Sequence, residues 1–225
     1  MLINHDKTKD KIRDICKALK TQAAEVDRYK TEYLKVIDDK TYTQEAKNNK
    51  LEQMRLYYIG KLSDTKQAIN EYLEAIRTEE TENEKILQLD VPEYTNTLSA
   101  FAALPGGFVP EETLELTLKK FAGQRQLLLT LIQPLTYEKG SDMDKLIRKY
   151  TQSIDEALYP LIEQTKNLEL SPDSSHFSLY NLYKAVLEFG ELHNVIFSDE
   201  DEIKEIGFIG EEEYKEGLTR FAMGL

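Results

Sequence analysis

Residues 51–76, LEQMRLYYIGKLSDTKQAINEYLEAI, place apolar side chains at Leu51, Met54, Tyr58, Leu62, Ile69, Tyr72 and Ile76, with Thr65 filling the one gap. Steps of three and four residues mark one face of a helix and exclude a strand, whose period is two. Upstream, Ile12, Ile15, Leu19, Val26, Tyr29, Tyr33 and Val36 repeat the pattern. Helices are therefore expected over about 8–38 and 44–85, separated by Asp38-Asp39-Lys40. Thr41-Tyr-Thr-Gln44 reads as a capping box at the second start, because a Thr hydroxyl and a Gln side chain can satisfy orphan N–H groups there. Helices of this length joined by so short a break should fold back as an antiparallel, coiled-coil-like hairpin. The polar Gln22 and the bulky tyrosines are unsuited to a strict dimeric zipper. An extra four-residue step near Gly60 is a stutter, which locally unwinds a supercoil and predicts a bend.

Working outward, 78–84 is almost wholly polar and acidic, and Pro92 ends the repeat. A boundary is expected within 84–92, dividing a hairpin arm at 1–88 from a smaller helical bundle domain at 89–225 with an acidic C-terminal segment. An amphipathic piece follows at 97–104, and LPGGFVP at 104–110 is the strongest turn signal. No Lys-Ser or Lys-Thr follows its glycines and no strand precedes them, so it reads as a structural turn rather than a phosphate loop. A helix from Pro110 carries Leu114, Leu118, Phe121, Leu128 and Ile132 and stops at Pro134. Another opens at Ser141 and carries Ile147, Tyr150, Ile154, Leu158 and Leu161, with a kink expected at Pro160. A fifth runs from Ser175 to about Asn194, with Phe177, Tyr180, Tyr183, Val186 and Leu187 on its face. Two short acidic helices should finish the chain, one carrying Tyr214, Leu218 and Phe221. Only 195–197 and 207–209 offer short extended pairs, so the fold class is all-α.

The 225 residues are 40% hydrophobic and 31% charged, with 13 Tyr, no Trp and a mean hydropathy of -0.53, which suits an elongated helical protein with much solvated surface. The single Cys16 excludes an internal disulfide and a multi-cysteine metal site, and beside Ile15 it reads as an inert half-buried thiol. The charged start lacks a signal-peptide pattern, and even LLLTLI at 127–132 is far shorter than a membrane span. A soluble, cytoplasmic protein is expected. The net charge of -12 is uneven: residues 6–20 carry six basic and three acidic side chains, whereas 198–216 carry nine acids against Lys204 and Lys215.

Site chemistry is sparse. His5, His176 and His193 never approach ligand spacing and form no HExxH or Glu-x-x-His pair, so no metal is expected. His193, near a helix end, reads as a partly exposed polar tip or a favourable contact with the helix dipole. The acids lie in hydrophilic runs, without the divergent environments acid–base catalysis needs, and the run at 199–202 lacks the glycine and terminal Glu of a calcium loop. The basic residues of 7–20 are interleaved with Asp6, Asp10 and Asp14, which breaks a phosphate-tracking stripe; no direct nucleic-acid binding is expected. Neither catalytic residues nor a cofactor are expected.

The hairpin over 11–84 and the segment LPGGFVPEETLELTLKKF at 104–121 together resemble helical structural and assembly proteins of phages and prophages of Gram-positive bacteria, notably head-assembly scaffolds. The chain ends GLTRFAMGL after an acidic stretch where such scaffolds carry a basic helix, so the resemblance implies the broad class alone. It implies a non-enzymatic protein acting in the host cytoplasm or the virion through self-association or protein partners. The expected interface residues are Leu19, Val26, Tyr33, Tyr58, Leu62, Ile69 and Tyr72 on the hairpin, with Tyr214 and Phe221 in the tail. The alternative is an acidic inhibitor or adaptor that binds a basic partner or mimics nucleic-acid charge.

Overall fold

The computed structural model describes residues 6–83, 92–168, 175–195 and 197, and among these all regular structure is helical. α1 (Asp6–Asp38) and α2 (Gln44–Asn83) are 33 and 40 residues long and pack antiparallel. Thr8 meets Glu80 near the open end, Gln22 meets Thr65 midway, and Tyr29 meets Tyr58 towards the turn. That register never slips. α2 runs unbroken through Gly60, where a bend was expected. The four-residue step matters only to a strict supercoil, and a straight helix of 3.6 residues per turn absorbs it. Gly60 itself faces open space.

The cap also sits two residues later than expected. Thr43, not Thr41, receives the Ala46 N–H on its hydroxyl at 3.2 Å. Thr41 instead donates its N–H and its hydroxyl to the Asp39 carboxylate at 2.8 and 2.6 Å, an Asx turn that holds Asp39 below its ordinary pKa.

The remaining helices are α3 (Pro92–Ala102), α4 (Glu111–Lys120), α5 (Arg125–Ile132), α6 (Asp142–Thr151), α7 (Ile154–Lys166) and α8 (Ser175–Glu191). Two expected single helices are in fact pairs. The first breaks at Gly123, whose φ of +78° lies outside the helical region and is available to glycine at little cost. The second breaks at Ser153, which accepts the Glu156 N–H while the Glu156 carboxylate accepts the Ser153 N–H, a reciprocal capping box that starts α7 afresh. In LPGG, Gly107 has a φ of +67° and a Cβ there would lie 2.3 Å from the Pro134 carbonyl oxygen, so only glycine fits. Its carbonyl accepts the Thr136 N–H at 2.9 Å, which docks this turn on the loop after α5. Val195 and Phe197 form no strand, and 207–209, most of 84–92 and the acidic terminal helices lie outside the described residues.

α7 and α8 pack together and lie along the hairpin, α8 against α1 and α7 against α2. Lys66 donates to the carbonyls of Lys166 and Leu168 at one end of α7, and Arg77 pairs with Asp155 at the other at 2.9 Å, so α7 runs antiparallel to α2. α3 to α6 pack among themselves, and buried apolar residues from Ile12 to Val195 form one connected core.

That core does not reach the turn of the hairpin. Between 27 and 57 Val36 is the one buried residue, whereas α1 alone buries eight between Thr8 and Val26. The distal half is a two-helix ribbon; the proximal half is one layer of a four-helix packing.

Candidate functional site

The one buried ionisable cluster described lies at the open end of the hairpin. Glu80, 4% exposed, accepts the Thr8 hydroxyl on one carboxylate oxygen, and its other oxygen faces His193 Nε2 at 3.6 Å. The His193 Nδ1 lies 3.1 Å from the Phe189 carbonyl, one helical turn back, and its ring rests against Phe189. Three chain segments distant in sequence are thus tied by polar contacts in an apolar setting. His193 is 6% exposed, which overturns the partly exposed tip among its two expected roles, and Glu80 lies buried within the acidic and polar run of 78–84. Helical spacing makes Glu80 the next seam position after Ile76, but its carboxylate and polar neighbours conceal its burial, and His193 lies past the end of α8.

The arrangement does not resemble a nucleophile site. In a triad the base sits between hydroxyl and carboxylate; here the carboxylate sits between hydroxyl and imidazole, and the Thr8 side chain is sealed from solvent. Among the described residues no three His, Cys, Asp or Glu side chains converge to hold a metal, and no helix is long and apolar enough to cross a membrane.

The interface residues expected on the hairpin occupy its internal seam. Leu19, Val26, Leu62 and Ile69 are wholly buried and Tyr58 nearly so, while Tyr33 and Tyr72 are half-buried, Tyr72 beneath the Lys11 ammonium at 5.1 Å. They hold α1 to α2 in this chain. Tyr214 and Phe221 lie outside the described residues.

Apolar surface is available beyond the seam. Of the eight large apolar side chains left exposed among the described residues, five, Leu34, Ile37, Tyr42, Leu56 and Tyr57, belong to the distal hairpin, with Leu34 and Leu56 each 59% exposed, while Phe108, Leu116 and Tyr159 stand singly on other segments. The five fall on two flanks. On one, Tyr57 is capped by the Arg28 guanidinium at 5.3 Å and the Lys61 ammonium at 5.6 Å, beside a shallow groove of 390 Å³ that Glu25, Glu32 and Met54 help to line. Tyr57 and the Glu25 carboxylate, 2.8 Å from Arg28, push the guanidinium pKa up. On the other, helical spacing continues the row Ile12, Cys16, Leu19, Ala23 through Lys30 to Leu34 and Ile37. Cys16 and Ala23 flank the seam yet are buried, and besides α2 the element packed on α1 is α8. On α2 the row Arg77, Leu73, Lys66, engaged by α7 at Arg77 and Lys66, continues to Ile59 and Arg55, beside Leu56.

Past the ends of α7 and α8 the described residues therefore leave the face that carries them bare. Seam periodicity alone does not mark its residues. The signal lies in Leu56-Tyr57-Tyr58-Ile59: four consecutive apolar residues about 100° apart encircle a helix and exceed what one seam can bury. Compared with family models, curated proteins and solved structures, the chain finds no match.

Proposed function

We propose that this chain is a non-enzymatic helical assembly or interaction protein whose working surface is the distal half of its hairpin. The supporting observation is the concentration of exposed Leu34, Ile37, Tyr42, Leu56 and Tyr57 on a ribbon that the other described residues leave uncovered. Apolar patches of this kind mark interaction sites, and an isolated two-helix segment gains little from its own core. The resemblance to phage and prophage assembly proteins supplies the setting, a host cytoplasm or a virion, with protein partners.

A photo-cross-linking amino acid at Leu56, compared with one at Tyr159 on α7, tests the reading in the producing cell. The two positions are 59% and 62% exposed, so accessibility does not separate them. Protein adducts should form from position 56 in clear excess over 159. Equal yields, or none from 56, would contradict it. The second reading, an acidic adaptor for a basic partner, rests on the nine acids of 198–216 and requires adducts that vanish as ionic strength rises in lysate.

A further inference from the structure

Resting on that reading of the hairpin, the geometry points to a specific occupant: we propose that a second copy of this chain lays its own distal hairpin on the bare face marked by Leu34, Ile37, Leu56 and Ile59. The face is the continuation of one already used. Further down, it is covered by two helices of this chain, α7 running antiparallel to α2 with α8 beside it; past Lys66 and Ala23 the described residues leave it uncovered while the apolar row goes on. Another antiparallel pair of helices would complete the layer, and the distal hairpin of a second copy is such a pair. Two-fold pairing uses the same patch on both subunits and closes on itself.

Charge favours a copy at this place and disfavours it elsewhere. Residues 27–57 carry seven basic and six acidic side chains, a balance of +1, within a chain of net charge -12, so the other residues carry -13. Two such chains repel over most of their surfaces. On the bare face, Asp27, Lys30, Glu52 and Arg55 supply two charges of each sign, so a copy meets no net like charge there. The area also suffices. From Ala24 to the turn is about 22 Å of helix, and two helices side by side present a ribbon about 20 Å wide, so two ribbons bury on the order of 1,000 Å² together. That is the lower bound of a specific interface, which implies a reversible dimer.

Sedimentation velocity of the full chain over a wide concentration range tests this, with Leu34→Glu, Leu56→Glu and, on α7 outside the distal hairpin, Tyr159→Ser. All three sites are exposed, and circular dichroism verifies that each variant keeps its helices. The wild type should pass from monomer to dimer; Leu34→Glu and Leu56→Glu should each weaken the dimer by about tenfold or more, since two-fold symmetry buries every introduced charge twice. Tyr159→Ser should leave it unchanged. A wild type that stays monomeric, or a dimer indifferent to Leu34→Glu and Leu56→Glu, would overturn the proposal. If the chain is monomeric while position 56 still cross-links to a different protein, the second copy is refuted and the interaction arm survives; if it is monomeric and position 56 yields nothing, both fall.

Discussion

The Glu80 carboxylate faces the His193 imidazole at 3.6 Å, both side chains buried, and so joins the end of α2 to the chain just past α8. With the Thr8 hydroxyl on its other oxygen, Glu80 closes the open end of the hairpin. Replacing one partner of a buried polar pair leaves the other without compensation, which costs more than the pair contributes. His193→Leu should therefore lower stability by about 2–4 kcal/mol, and Glu80→Leu together with His193→Leu should cost less than the sum of the single changes. Denaturant unfolding of the four proteins measures the coupling; additive losses would show that the two groups do not interact.

The seam makes a sharper demand. Leu62 has no exposed surface and packs in the middle of the hairpin. Leu62→Asp should cost on the order of 4 kcal/mol or more, because it places an unpaired carboxylate in an apolar contact. A thermal midpoint close to wild type would contradict the seam.

Gln22 predicts an effect of the opposite sign. It is 1% exposed and accepts the Thr65 hydroxyl, but its side-chain nitrogen has no hydrogen-bond partner. The single Thr65 hydroxyl proton can turn instead to the Lys61 carbonyl, also 3.0 Å away, so it keeps a partner when Gln22 is lost. Gln22→Leu should be neutral or stabilise by about 1 kcal/mol. A loss of more than about 1 kcal/mol would mean that this polar layer sets the hairpin register.

The helix starts after the hairpin carry a pH dependence. Asp144 lies below its ordinary pKa chiefly through the Gly140 N–H and then the Arg148 side chain, and Glu156 lies below its own through the backbone and hydroxyl of Ser153. A depressed folded-state pKa contributes stability that is complete above the ordinary carboxylate range and is lost as pH falls through the lowered value. Asp144→Asn should flatten the acid limb of the stability curve and leave its slope near neutrality unchanged. An unaltered acid limb would contradict the assignment.

The two long helices and their seam were legible because Ile12 to Val36 and Leu51 to Ile76 repeat one period over many turns, and such repetition outweighs any single residue. The breaks at Gly123 and Ser153 were not, since apolar spacing runs across them: Phe121 to Leu128 and Tyr150 to Ile154 look continuous on a helical wheel. A positive φ at one glycine and a capping box at Ser153 decide otherwise. The buried Glu80 and His193 were hidden by polar neighbours, and their burial depends on which helix ends converge. The bare flank was hidden for a related reason: Leu34 and Leu56 are remarkable only once α7 and α8 are seen to stop short of them.

Hydrogen exchange of the full chain at low and high protein concentration reads the distal ribbon and the covered hairpin in one sample. Amides of 27–57 should exchange faster than those of 8–26 and 62–80 in the dilute protein, and should gain protection as concentration rises while the covered half stays unchanged. Uniform protection along both helices, independent of concentration, would contradict a bare distal face that another copy covers.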